Sequence, residues 1–124
     1  MEYINDKNGP APLGPYSDAI RSGNMLYVSG QGPFGKSGEL VGSDITEQTE
    51  QSMKNLESLL GSIDLGVKNV VRATVYLANW DDFSGYNEVY KKYMGDHKPA
   101  RATVEVSRLA ADALIEMEFT VEIS

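Results

Sequence analysis

One arginine occupies a position from which it could bind an anion. Residues 98–106 read K-P-A-R-A-T-V-E-V and place Arg101 just after Pro99, at the start of a predicted strand. Because proline cannot continue a helix, the chain should enter this strand directly. Side chains alternate along a strand, so Arg101, Thr103 and Glu105 should share one face. A guanidinium stays protonated and its planar fork of donors fits a carboxylate, so a carboxylate site is predicted; an exposed arginine at a strand edge is the alternative.

A candidate acidic partner lies in the last predicted strand, residues 114–123. Apolar and polar side chains alternate there without a break, which predicts one face packed on helices and one face that carries three glutamates. Glu116 is the candidate, because the segment with Arg101 also turns polar residues to one side. The short connection of residues 107–113 predicts that these two strands pair antiparallel. Beside Arg101 the pKa of Glu116 would fall, which would make it a general base; a solvated face is the alternative.

Three further polar residues lie where they could face a ligand. Residues 6–15 contain three of the five prolines, so this loop should be stiff and hold the Tyr16 phenol in place, unless Tyr16 merely packs over the loop. Ser29 is followed by Gly30 and a second glycine, which allow the backbone to approach a ligand closely. The glycine spacing is not that of a phosphate-binding P-loop. Asn87 lies near the packing face of a predicted helix, where a buried amide requires a partner.

The elements that must position these residues alternate between strands and helices. Strands are predicted at residues 1–5, 18–21, 25–29 and 69–78, with a hairpin turn at residues 22–24. Residues 44–62 should form a helix, because Asp44 can cap it, Glu47 completes a capping-box pattern, and apolar residues recur at helical spacing. A second helix follows residues 79–82, and one stripe of it carries Phe83, Tyr86, Val89, Tyr90 and Tyr93.

This order of elements predicts an α+β two-layer domain with a mixed β-sheet and two helices packed on one face. The opposite sheet face is neither fully polar nor fully apolar and needs cover, which association of several copies would supply. At 124 residues the chain is long enough for one domain, residues 1–124, and too short for two.

Composition argues against several classes of function. The net charge of -7 disfavours a nucleic-acid partner, which would normally require a basic patch. Zero cysteines and the single His97, expected to be a solvated loop residue, leave little for a metal site, so no metal or cofactor is expected. The N-terminus lacks the features of a signal or transit peptide, and no apolar run approaches the roughly 20 residues of a membrane span. We therefore expect a cytoplasmic protein without a membrane partner.

The motifs, taken together, resemble those of the RidA (YjgF-type) family of reactive-intermediate deaminases over almost the whole chain. No single motif is decisive, and their order and spacing are specific. They are G-P-Y-S at residues 14–17, V-S-G-Q at 28–31, the helix of residues 44–60 with Gln48 and Asn55, Y-N-E-V-Y at 86–90, P-A-R at 99–101, V-E-V at 104–106 and I-E-M-E at 115–118.

The resemblance implies a chorismate-mutase-like fold assembled as a homotrimer with three clefts between subunits. It implies hydrolysis of enamines and imines, such as 2-aminoacrylate, 2-iminopropanoate and 2-iminobutanoate, to 2-keto acids and ammonia, without a cofactor. The implied catalytic residues are Arg101, which holds the substrate carboxylate, Glu116, which positions or activates water, and Ser29 and Tyr16, which line the cleft; the implied substrate-binding residues are Gly30, Asn87 and Thr103. Many members have cysteine where this chain has Thr103, and often serine where it has Ala102, which puts regulation or ligand preference in doubt.

Two other functions remain open. A ribonuclease or translation inhibitor, an activity often attached to this family's name, is disfavoured by the net charge of -7 and the single histidine. A non-catalytic trimer that binds small carboxylates as a sensor or regulator would use the same Arg101. Glu116 discriminates between binder and enzyme, because a pure carboxylate binder has no use for a second carboxylate in the cleft.

Overall fold

Two helices pack on one face of a mixed six-stranded sheet, as the sequence predicts. The computed structural model describes residues 1–123, and the sheet order is β1-β2-β3-β6-β4-β5. All neighbouring strands pair antiparallel except β4 and β5, which are parallel. The elements are β1 (Glu2–Ile4), β2 (Ala19–Ser22), β3 (Met25–Gln31), α1 (Ile45–Gly61), β4 (Val70–Leu77), α2 (Phe83–Met94), β5 (Ala100–Glu105) and β6 (Ile115–Glu122), with short 3-10 turns at Val67–Asn69, Trp80–Asp82 and Ala110–Asp112.

Local sequence signals determine where the first elements begin and end. The β2–β3 hairpin turns through two residues, with Ser22 paired to Met25 and Gly23 at a φ of 62°, which only glycine adopts without strain. Helix α1 begins after Asp44, whose Oδ1 accepts the backbone N–H of Glu47 at 2.8 Å. The second half of the predicted capping box does not form, because the Glu47 carboxylate accepts the backbone N–H of Ser43 instead, at 3.1 Å.

Strand β6 separates the core from the open sheet face. Its residues alternate between buried and partly or fully exposed along the whole strand, which confirms the predicted two-faced pattern. Ile115 and Met117 are completely buried under the helices, together with Leu56 of α1. Glu116 and the residues at every second position after it face away from the helices. The central position of β6 therefore determines which side chains remain available on the open face.

The predicted pairing of the Arg101 strand with the last strand is wrong. Strand β5 pairs with β4 alone and forms one edge of the sheet, whereas β6 lies between β3 and β4. The physical reason is burial. β6 has one fully apolar face and gains most from a central position, while β5 is shorter and none of its six residues is buried, which suits an edge. The connection only has to cross one strand, roughly 10 Å, so its shortness does not require adjacency.

His97 is not the solvated loop residue that was expected. Its ring is half-buried, and Nε2 lies 2.7 Å from the carbonyl oxygen of Val70. The loop after α2 folds back over the beginning of β4, which brings the ring to that carbonyl. Among residues 1–123, no helix is long and apolar enough to cross a membrane.

We predict opposite effects for alanine at two helical glycines. A Cβ at Gly85 of α2 would lie 2.5 Å from Cγ2 of Ile45 in α1, so Gly85→Ala should force the helices apart and lower the free energy of unfolding by about 1–3 kcal/mol. Gly61 has open space around its Cα, so Gly61→Ala should raise the free energy of unfolding by roughly 0.5–1 kcal/mol. Urea denaturation at one protein concentration measures both; equal effects of the two variants would contradict this packing.

Candidate functional site

The Glu116 side chain lies in a cavity on the open side of the sheet. Its carboxylate packs directly on the Cα of Gly30 in β3, so that a Cβ at position 30 would overlap it. The close approach arises from a bulge: Val28 pairs with Phe119 and Gln31 with Met117, which leaves one extra residue in β3. Glycine at position 30 is therefore required for the observed position of the carboxylate.

Four of the predicted site residues line this cavity, whose volume is about 500 Å³. We call them the acidic cluster: Tyr16, Ser29, Gly30 and Glu116. The loop of residues 9–13 and the C-terminal half of α1, through Asn55 and Leu59, contribute other walls. The acidic residues Asp6, Asp18 and Glu118 also line the cavity. None of the described residues that line it is a lysine, arginine or histidine. Its described lining residues thus make the cavity anionic and include no cationic side chain that would attract a carboxylate.

The environment of Glu116 raises the pKa of its carboxyl group. Burial raises the pKa of this carboxyl, and the neighbouring charge of Glu118 raises it further. The prediction that Arg101 lowers the pKa of Glu116 is wrong within a single chain, because Arg101 lies on the other face of the sheet. Glu118 itself accepts a hydrogen bond from the Tyr76 hydroxyl at 2.7 Å. This bond holds in place the Glu118 carboxylate, whose negative charge raises the pKa of Glu116.

Ser29 and Tyr16 both stabilise the proline-rich loop. The Ser29 hydroxyl donates to the carbonyl oxygen of Ser17 at 2.7 Å, so its proton is engaged and only its lone pairs remain for a ligand. The Tyr16 hydroxyl accepts the backbone N–H of Leu13 at 3.3 Å, and its ring packs on Gly14. Tyr16 is 52% exposed, so it covers its own loop and still faces the cavity. Tyr16 therefore does more than pack over its loop, and its role toward a ligand stays a prediction.

Arg101, Asn87 and Thr103 form a second group, the arginine cluster, at the β5 edge. Arg101 pairs in register with Ala73, a buried residue of β4, and so lies on the helix side of the sheet. Its Nη1 donates to Oδ1 of Asn87 at 2.8 Å, which gives the predicted amide its partner. The Thr103 hydroxyl lies 2.6 Å from the hydroxyl of Tyr86. Glu116, by contrast, pairs with Tyr76 and points to the open face.

Three aromatic rings of α2 support the guanidinium. The Arg101 Cζ atom lies 4.8 Å from the ring centroid of Tyr90, 5.4 Å from that of Tyr86 and 5.8 Å from that of Phe83. The helical stripe of aromatic residues was the sequence signal for this arrangement, but the sequence did not show that β5 crosses it. The aromatic support is thus the functional feature that sequence analysis missed.

The arginine cluster keeps its positive charge available. Burial raises the pKa of Tyr86 and raises that of Tyr90 to about 12, so both phenols stay neutral and form no ion pair with Arg101. Within residues 1–123, no carboxylate oxygen lies within salt-bridge distance of Arg101. A guanidinium has five N–H donors, and one is used on Asn87. The remaining donors can take an anionic ligand.

The single chain therefore separates the predicted site residues into two clusters on opposite faces of the sheet. The acidic cluster offers a carboxyl group for proton transfer but no cation, and the arginine cluster offers a cation but no base. Among residues 1–123, no group of three or more histidine, aspartate or glutamate side chains is arranged to hold a metal ion.

Comparison with known proteins places the chain among close relatives. The family profile described as Endoribonuclease L-PSP matches residues 6–123. A RutC family protein of Pyrococcus horikoshii is 48% identical over 118 residues, which cover 94% of each chain. The 2-iminobutanoate/2-iminopropanoate deaminase of Mus musculus is 39% identical, over 94% of this chain and 87% of the mouse protein. The structure of E. coli TdcF with bound serine superposes with a TM-score of 0.93 at 30% identity and covers 100% of both chains.

We predict that Glu118→Gln lowers the pKa of Glu116. The substitution removes the charge that repels the Glu116 carboxylate, while the amide oxygen can still accept from Tyr76. Carbon NMR titration of the glutamate carboxyl groups measures the change. Glu122→Gln is the matched control, because Glu122 lies on the same strand and face but three alternate positions away, and it should leave the pKa of Glu116 unchanged. An unaltered Glu116 titration in Glu118→Gln would contradict the coupling.

Proposed function

The chain belongs to the endoribonuclease L-PSP family, the YjgF/RidA family that its motifs resemble, and on that premise we propose that it hydrolyses small 2-imino and 2-enamino acids to 2-keto acids and ammonia. Substrates of this class include 2-aminoacrylate, 2-iminopropanoate and 2-iminobutanoate. One relative of this length carries the name of that activity. The observation that carries the proposal is the complementarity between an unpaired guanidinium and a partly buried carboxyl group with a raised pKa.

The proposal requires two copies of the chain to build one site. An imino acid carries a carboxylate, which the anionic cavity around Glu116 would repel unless a cation enters it. Arg101 has free donors but lies on the opposite face from Glu116 in its own chain. In a closed ring of copies, the arginine cluster of one copy would complete the acidic cluster of the next. A homotrimer with three such clefts is the assembly we propose, as the resemblance implies.

In this cleft Arg101 would bind the substrate carboxylate and so orient the adjacent imine carbon. Asn87 would hold the guanidinium in the required direction. Arg101 of the neighbouring copy would partly oppose the upward shift of the Glu116 pKa. The small Gly30 would leave room for the substrate beside the carboxyl group, and Tyr16 and Ser29 would close the cleft.

Glu116 would act as general base and then as general acid. The imine reacts in its protonated form, C=NH2+. The Glu116 carboxylate takes a proton from water while the water oxygen attacks the imine carbon, and the electron pair of the C=N double bond moves to nitrogen, which gives a neutral carbinolamine. Glu116 then returns this proton to the amine nitrogen. The C–N bond breaks with its electron pair on nitrogen, the Glu116 carboxylate takes the proton of the hydroxyl group as the keto group forms, and the ammonia then removes that proton and leaves as ammonium. A raised pKa favours the first step, because it makes the Glu116 carboxylate a stronger base toward the proton of water. Imines also hydrolyse unaided in water, so positioning of the reactants suffices and no cofactor is proposed.

A second candidate function is binding of small carboxylates without turnover. The observation that favours it is the similarity to a structure that holds serine, a carboxylate without a reactive imine. A nuclease function, which the family description names, is disfavoured by the anionic cavity and the net charge of -7, because both repel a phosphodiester.

We predict that Arg101→Ala lowers kcat/KM for 2-aminoacrylate generated in solution by about 100-fold, because the carboxylate loses its charged partner. Release of ammonia and keto acid above the spontaneous rate is the measurement. Arg21→Ala is the matched control, since Arg21 is an exposed arginine that bonds only the carbonyl oxygen of Gly23 and belongs to neither cluster. Full activity in Arg101→Ala would refute the assignment, and absence of turnover in the wild type, with retained binding of pyruvate, would favour the binder.

The shared site predicts recovery of activity when two impaired variants are mixed. Arg101→Ala and Glu116→Ala should each lose most of their activity alone, whereas subunits that are unfolded and refolded together should regain about a quarter of the wild-type activity, since about one cleft in four receives both native residues. Light scattering establishes the mass of the assembly in the same samples. If each cleft were built from one chain, mixing would restore nothing.

A further inference from the structure

The helix side of β5 is linked to α2 and to the 3-10 turn before it by a series of polar contacts. Alternate residues of the strand each make one: Arg101 with Asn87 at 2.8 Å, Thr103 with Tyr86 at 2.6 Å, and Glu105 with the backbone N–H of Trp80 at 2.7 Å. On its other side in the sheet, β5 has no neighbouring strand within residues 1–123. These contacts therefore determine how the edge strand sits against the helix.

The middle contact is a bond between two hydroxyl groups in a largely dry environment. Tyr86 is completely buried and Thr103 is partly buried, and either oxygen can be the donor. Burial raises the pKa of Tyr86, so its proton is retained and the bond persists across the physiological pH range. A buried hydroxyl that loses its partner is costly, whereas replacing both partners by apolar groups of similar shape is nearly neutral. Each hydroxyl therefore depends on the other.

This contact acts directly on the arginine cluster. Thr103 follows Arg101 on the same face of β5, roughly 6–7 Å further along the strand. Tyr86 precedes Asn87, the residue that accepts from Arg101, and the Tyr86 ring is one of those beneath the guanidinium. A change in the position of the Tyr86 ring or of Thr103 thus displaces both the support and the hydrogen-bond partner of Arg101.

We propose that Tyr86 and Thr103 form a positioning pair that fixes the orientation of the Arg101 guanidinium toward the carboxylate of its ligand. In this proposal Thr103, predicted from the sequence to bind substrate, acts through Arg101, since its hydroxyl is bonded to Tyr86 beside the guanidinium. This inference rests on the proposed function for the class of ligand, a small 2-keto or 2-imino acid, but does not require that the ligand be turned over.

The test is a double-mutant cycle on the binding of pyruvate to the assembled protein, measured by titration calorimetry. Thr103→Val and Tyr86→Phe remove one hydroxyl each and should raise the Kd by about three- to tenfold. The double variant should bind no more weakly than the weaker single variant, because both substitutions remove the same bond. Thr103→Ser keeps the hydroxyl and should bind within about twofold of the wild type. In turnover assays the single variants should raise KM and leave kcat within about twofold, since Glu116 belongs to the other cluster.

Four outcomes of these measurements test the positioning pair. A lower unfolding midpoint with an unchanged Kd in both single variants would show a purely structural contact and overturn the proposal. Independent, additive losses in the double variant would also overturn it, because Thr103 would then contact the ligand itself. If the wild type does not bind pyruvate, the class of ligand is wrong and the inference falls with it. If binding depends on Arg101 and on the pair but no imine is hydrolysed, the proposed function fails and the positioning pair stands.

Discussion

The strict alternation of β6 is the constraint on which the rest of the structure depends. Every second side chain of this strand is apolar and buried beneath the helices, so the strand occupies the middle of the sheet. Because that face is buried, the glutamates at the alternate positions must lie on the open face of the sheet. A shift of one residue in register would exchange Ile115 and Glu116 between core and solvent. The same hydrophobic effect that stabilises the fold thus determines on which face of the sheet the Glu116 carboxyl group lies.

Acidic and basic groups of the candidate site lie in different parts of the molecule. The cavity around Glu116 gathers carboxyl groups and raises its pKa, while Arg101 lies across the aromatic rings of α2 without a carboxylate partner in the described chain. Separate clusters of opposite charge on opposite faces of one sheet have little mutual attraction within a chain. In the proposed assembly, the same arrangement would provide complementary surfaces between copies. The charge distribution therefore supports the proposed association independently of the uncovered sheet face.

Sequence features that involve only a few neighbouring residues predicted the fold well. The Asp44 cap, the Gly23 turn and the alternation of β6 are local, and each element appears close to its expected bounds. The order of strands is not local: a short connection suggested that β5 and β6 are neighbours, whereas burial places β4 between them. The candidate site suffered from the same limit. The face on which Arg101 lies depends on which strand β5 joins, and that strand could not be identified from local signals.

Gly30 shows how the backbone can set the acidity of a residue far along the chain. Its missing Cβ lets the Glu116 carboxylate withdraw from water, and burial is the main cause of the raised pKa of that group. A substitution at position 30 would leave the hydrophobic core untouched, because this position faces the cavity and not the helices. Substitutions at position 30 should therefore have a different effect from substitutions at core positions. Variants at position 30 should accumulate in cells as folded protein, but their cavities should differ chemically from the native one.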